Sequence, residues 1–265
     1  MYRVGEKIGD GAFGIVYLCQ HKITKKKAVM KSGEKDEILY EARVLSALQG
    51  SIHLPRLIWH GKFDNKNAFV CELLDTNLKQ KKQQICTELL NGNIEWFKNF
   101  SNQSMSVLQW IHDKGFVHRD IKPDNIMLKQ DGKTLCLIDY GFAKRYRNIT
   151  DGLHVPSCNI TSIIGSLSFC SYNIHKQQLP SRRDDLVSML LCLFYILHEK
   201  LPWMGLKLER ETVNNTLFSL KTEWNSPLTT LLNISDKETI NDILLSKYKY
   251  CLTVGYYDTL DYSLY

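Results

Sequence analysis

The chain has 265 residues, with 34 Lys and Arg against 28 Asp and Glu, for a formal net charge of +6. Hydrophobic residues make up 44% and charged residues 23%, a globular composition that excludes a disordered tail, a collagen-like chain and a supercharged one. A chain of this length forms one large domain or two lobes and buries a core without disulfide staples.

Residues 1 to about 31 predict three strands. Tyr2, Val4 and Ile8 open the first, and Ile15 to Cys19 form a nearly continuous apolar second. Thr24 to Lys27 make a basic turn before Ala28 to Lys31. Arg3, Glu6, Lys7 and Asp10 interrupt any apolar stretch at the start, so no export signal is expected there. Ile38, Ala42, Leu45 and Leu48 recur at spacings of three and four, which predicts a helix from about Asp36 to Leu48. Ile52 to Trp59 and Asn67 to Leu73 are further strand candidates. After Leu74 the pattern turns helical: Phe97, Phe100, Val107, Leu108 and Ile111 keep helical spacing, and Gly115 stops them. Asp131-Gly132 is a hairpin signal between Ile126–Leu128 and Leu135–Ile138. Leu186 to Leu197 is too short for a membrane span, which needs about twenty residues, and predicts a buried helix. Ser235 to Glu238 form a capping box ahead of Ile240, Ile243 and Leu244. The change of pattern near residues 72–78 divides the chain into a mainly β lobe, 1–74, and a mainly α lobe, 75–265, an α+β class. The eight Cys form no C-x-x-C pair, which suits a reducing compartment and offers no zinc spacing.

Four constellations carry chemistry. Gly9, Gly11 and Gly14 let backbone N–H groups approach a phosphate chain. They lead into a strand, where a dinucleotide fold would need a helix, so a flap over a nucleotide is favoured. A flexible hairpin tip would read the same way in isolation. Lys31 on the third strand and Glu41 on the predicted helix would form an ion pair across the lobe, although each alone also suits a surface. The strongest signal is His118-Arg119-Asp120-Ile121-Lys122-Pro123-Asp124-Asn125. Phosphoryl transfer to a hydroxyl needs a carboxylate to orient it and accept its proton, the role of Asp120. Lys122 would neutralise the γ-phosphate, and Asn125 would offer a neutral oxygen to Mg2+. Asp139, ahead of Tyr140-Gly141, supplies the hard anionic oxygen magnesium favours, and the hairpin is expected to bring it towards Asn125.

In their order these elements resemble a eukaryotic-type protein kinase from end to end. Ala28-Val29-Met30-Lys31 is similar to the kinase strand whose lysine meets the α- and β-phosphates. Lys122 marks the serine/threonine version of the catalytic loop. Gly165 to Ser171, then Asn173, His175, Ser181 to Leu186 and Leu201-Pro202-Trp203 resemble the casein kinase 1 family. Asp139-Tyr140-Gly141 and Ser168 to Ser171 lean towards the vaccinia-related kinases. The resemblance implies a two-lobed protein kinase fold, with a small mainly β N-lobe, a larger mainly α C-lobe and Mg-ATP between them. Ile8 and Val16 would roof the adenine, Cys71 would be the gatekeeper, and Glu72 and Leu74 would offer backbone groups to the adenine edge. Ser166 stands where kinases usually have Thr, and Asp185 resembles the aspartate that braces the catalytic loop.

The implied activity is transfer of the γ-phosphate of Mg-ATP to Ser and Thr hydroxyls of protein substrates, acidic ones among them. A monomer in the cytoplasm or nucleus is expected, with no nucleic-acid or membrane partner. Ser168 and Asn214 replace two cations of the family's anion pocket, while Arg182, Arg183 and Lys207 remain, which weakens a preference for phosphorylated substrates. The short segment from Lys31 to Glu41 predicts an abrupt helix start. The chain is expected to stop where the family's last helix begins, without a regulatory tail. A pseudokinase scaffold is the competing reading, motivated by the eroded pocket and the truncated helix. A small-molecule kinase is weaker, because Ser171 to Leu186 resembles protein kinases specifically.

Overall fold

The computed structural model describes residues 2–11, 13–90, 94–198, 200–207, 212–223 and 237–262. The expected strands form as β1 (Tyr2–Gly11), β2 (Gly14–His21) and β3 (Lys27–Gly33), followed by α1 (Glu37–Leu48), β4 (Leu57–Phe63) and β5 (Lys66–Glu72). They pair antiparallel in the order β1-β2-β3-β5-β4. Because alternate strand residues share a face, Cys19, Ala28, Met30, Ala68 and Val70 meet in one core with Tyr2, edged by Val4, Trp59 and Phe63. The helical stripe seen in the sequence buries Ile38, Ala42, Leu45 and Leu48. The abrupt start of α1 is present: Asp36 makes no side-chain cap, and its Oδ1 instead accepts Asn67 Nδ2 at 3.2 Å.

One strand differs from its predicted span. The run from Ile52 becomes a strand only at Leu57 and continues to Phe63, because Pro55 has no N–H for a ladder. Asp64 and Asn65, both with positive φ, then turn the chain tightly into β5.

The remaining elements are α2 (Leu78–Leu90), α3 (Ile94–Asp113), β6 (Phe116–Val117), β7 (Ile126–Leu128), β8 (Leu135–Leu137), β9 (Lys144–Arg145), α4 (Tyr172–His175), α5 (Arg182–His198), α6 (Val213–Thr222) and α7 (Lys237–Thr253). The chain divides into two compact units, Met1–Thr76 with Ile126–Ala143, and Asn77–Asn125 with Lys144–Tyr265. Residues 126–143 thus group with the first unit, whereas the sequence pattern put everything after 74 in the second. Backbone bonds are the reason: Asp75 N–H donates to Leu128 O (2.9 Å), Leu128 N–H to Thr76 O (3.0 Å) and Leu137 N–H to His53 O (3.0 Å). The predicted hairpin turn is there, with Gly132 at φ +69° and the Asp131 carboxylate accepting the N–H groups of Lys133 and Thr134.

In the second unit α5 is buried along nearly its whole length, as its apolar run implies. Seven of the eight cysteines are buried, and all eight are free thiols. Among the described residues no helix is long and apolar enough to cross a membrane. The capping box at Ser235–Glu238 and the last three residues lie outside the described backbone or side chains.

Candidate active site

Within the first unit, Lys31 sits mid-strand in β3, opposite Val16 of β2 and Phe69 of β5. Glu41 lies on the buried stripe of α1, so its carboxylate is carried inward with Ile38 and Leu45. The Lys31 Nζ donates to Glu41 Oε2 at 2.7 Å and to Asp139 Oδ1 at 3.0 Å. Burial pulls the Lys31 ammonium down, and the two carboxylates more than offset it, so the lysine is held above its ordinary value. Burial pushes Glu41 up to about 7, an effect Lys31 opposes and Asp139 reinforces. Asp139 has φ +68°, a left-handed conformation that a residue with a Cβ adopts at a cost. It leads into a 3-10 turn, Tyr140–Phe142, tied to α1 by the Tyr40 hydroxyl, which donates to Ala143 O at 2.8 Å.

The glycine flap is the β1–β2 hairpin. A Cβ on Gly11 would lie 3.3 Å from Lys31 Cε, so the flap passes over the lysine. A Cβ on Gly14 would meet Ser32 O and Ile38 Cδ1 at 2.7 Å, so packing by itself demands glycine there. Gly9 faces Val16 with ordinary room. At the tip, the Phe13 ring packs edge-on against Phe142 at 5.1 Å and fills the space a Cβ on Gly141 would need. Sequence reasoning missed this contact, for which Gly141 itself was the only signal.

Ile8 is 49% exposed, and Cys71 is buried on β5 opposite Val29. Leu74 is buried. Glu72 already gives its N–H to Arg56 O at 3.1 Å, and its carboxylate accepts Arg56 N–H and Lys129 Nζ. Its N–H is therefore committed and is not among the groups offered to an adenine edge.

In the second unit, Asp120 is 4% exposed and both of its carboxylate oxygens are engaged. Oδ1 accepts the Ser166 hydroxyl at 2.9 Å, while Oδ2 accepts Lys122 Nζ at 2.7 Å and Asn125 Nδ2 at 3.2 Å. The same Nδ2 donates to the Asp120 carbonyl at 2.8 Å. Asp185, on α5, braces the loop as expected. Its Oδ2 accepts His118 N–H at 2.6 Å and pairs with His112 Nε2 at 3.0 Å, and its Oδ1 accepts Arg119 N–H at 2.8 Å. Burial would raise the Asp185 carboxyl, but these donors hold it below its ordinary value. His112 in turn hydrogen-bonds the Tyr262 hydroxyl. Gly165, at φ +85°, packs so closely on Arg119 that a Cβ would lie 2.4 Å from its carbonyl oxygen.

Asn125 and Asp139, in separate units, each carry an oxygen of the kind magnesium takes. Asn125 commits its amide nitrogen to Asp120, which turns the amide oxygen into the atom it offers a cation, and Asp139 offers a carboxylate. Asn125 belongs to the second unit and Asp139 to the first.

A family model described as Protein kinase domain matches residues 2–253. The chain belongs to the protein kinase domain family. Its fold is α+β, the two-lobed kinase fold, with the antiparallel sheet in one unit and the larger helices in the other. The family's phosphotransferases use ATP and Mg2+. Within this kinase domain, two cations assigned to an anion pocket have structural duties instead. Arg182 is 7% exposed and donates through Nη2 to the carbonyls of Tyr257 (3.1 Å) and Asp258 (2.8 Å). Arg183 donates to Val254 O (2.8 Å) and Gln178 Oε1 (3.0 Å). Lys207 stays exposed.

Proposed function

We propose that this kinase domain transfers the γ-phosphate of Mg-ATP to Ser and Thr hydroxyls of proteins, as casein kinase 1 enzymes do. One observation supports it most: Lys122, the residue that distinguishes the serine/threonine loop, bonds Asp120 Oδ2 at 2.7 Å in a carboxylate whose other oxygen is fixed by Ser166. Asp120 orients the incoming hydroxyl and accepts its proton as the oxygen–phosphorus bond forms and the bond to the ADP oxygen breaks. Lys122 balances charge on the transferred group. Lys31, held by Glu41 and Asp139, binds the α- and β-phosphates under the flap of Gly9, Gly11 and Gly14. Magnesium, which Asn125 and Asp139 each have an oxygen to hold, would supply positive charge against the phosphates.

A net charge of +6 favours acidic substrates over basic ones. A preference for phosphorylated substrates is not part of the reading, because Arg182 and Arg183 are engaged by the segment 254–258. The test is phosphoamino-acid analysis of casein after incubation with labelled Mg-ATP. Phosphoserine and phosphothreonine are expected. Phosphotyrosine alone would overturn the specificity, and ATP binding without transfer to any protein would favour the scaffold.

A further inference from the structure

Lys221 lies on α6, fifty residues beyond the end of the segment Ser166–Ser171, yet it is wholly buried against that segment. Its ammonium has three N–H donors. They meet Leu167 O at 2.8 Å, Cys170 O at 2.6 Å and His175 Nε2 at 2.9 Å, all neutral acceptors. The ammonium also lies 5.1 Å from the centre of the Trp203 ring, and Trp203 Nε1–H donates to Ser168 O at 2.9 Å. Ser166 O accepts the N–H groups of Phe169 (2.9 Å) and Cys170 (2.8 Å). The carbonyls of 166, 167, 168 and 170 are thereby all fixed, two of them by one buried cation.

The fixed segment has one outlet towards the chemistry, the Ser166 hydroxyl on Asp120 Oδ1 at 2.9 Å. Resting on the kinase reading above, we infer that Lys221 is a positioning residue: with Trp203 it clamps the turn 166–171 so that Ser166 holds the Asp120 carboxylate in the orientation that receives the substrate hydroxyl. A buried ammonium bound only by neutral groups has no counter-charge to offset its desolvation, which makes it a costly way to stabilise a fold. As a clamp it has a use that a leucine or methionine at 221 could not supply, since neither carries a donor and an ammonium donates to three acceptors at once.

The test uses the full chain with Lys221→Met, which keeps the length of the side chain and removes the donors. Peptide kcat should fall by up to about fivefold, no further than Ser166→Ala lowers it, while KM for ATP changes by less than about twofold. Backbone hydrogen exchange should accelerate at Phe169 and Cys170 and stay unchanged in β3, which reads the clamp whether or not the wild type is active. Combined with Ser166→Ala, the Lys221→Met effect on kcat should largely disappear, because both act through one bond. Should Lys221→Met fail to fold, Trp203→Phe keeps the ring, removes one donor and should give the same pattern at about threefold. Additive effects of Lys221→Met and Ser166→Ala, or unchanged exchange at 169 and 170, would overturn the clamp. A wild type that transfers no phosphate while the exchange behaves as stated would overturn the kinase reading and leave the clamp standing.

Discussion

In the first unit the central charged side chain is an ammonium on a strand, held between a carboxylate from α1 and another from the turn after β8. In the second it is a carboxylate on a loop, held by a hydroxyl, an amide and a lysine, with the loop's backbone hung from Asp185. Opposite charges at contact attract more strongly in a buried place than in water, so the first cluster needs only a strand, a helix and one turn to deliver its members. A loop has no ladder of its own, and its backbone groups must find partners elsewhere in the chain. The second cluster therefore depends on residues far from it in sequence: Gly165, Ser166, Asp185 and Lys221.

Breaking each half should give a different signature. The largest effect on stability is expected for Lys31→Met, which leaves two carboxylates facing each other in a buried place. About 3 kcal/mol should be lost in chemical denaturation, together with transfer activity. Asp185→Asn turns one of the two oxygens that accept His118 N–H, Arg119 N–H and His112 into a donor NH2 group and removes the negative charge. It should cost about 2 kcal/mol and lower kcat by more than the melting change alone explains. A third test is stability against pH in the second unit. Burial, with Lys221 adding to it, brings His175 down to about 3 from an ordinary 6.5. The unfolded chain therefore takes up a proton that the folded chain refuses, and stability should fall as pH drops from about 6.5 towards 3, by a few kcal/mol at most. His175→Asn should flatten that part of the profile. The smallest effect is Ser166→Ala, which deletes one hydrogen bond to Asp120. About 1 kcal/mol, or roughly a fivefold fall in kcat, is expected, and Ser166→Thr should restore it.

The same comparison explains what could be read from the sequence. Lys31 and Glu41 stand on regular elements whose periodicity is visible, so the motif and the helix stripe together anticipate their ion pair, whereas the pair of Lys31 with Asp139, in the turn after β8, was not anticipated. Asp131-Gly132 anticipates its hairpin because turn chemistry is local. Backbone pairing between distant segments is not local, and so the grouping of 126–143 with the first unit was hidden. Asp185 and Ser166 were legible only through the family resemblance. Arg182 and Arg183 look like surface cations in a charged run, and nothing nearby announces that carbonyls at 254, 257 and 258 engage them. Lys221 and His112 had no signal at all, since a lysine in a helix is ordinarily a solvated one.

The most direct test of the account is transfer of labelled γ-phosphate from Mg-ATP to casein, with Asp120→Asn beside the wild type and ATP binding measured on both. The account predicts label in the wild-type lane, a loss of about 10²–10⁴-fold in the variant and similar ATP binding by the two. Equal transfer by Asp120→Asn, or ATP binding without transfer by the wild type, would contradict it.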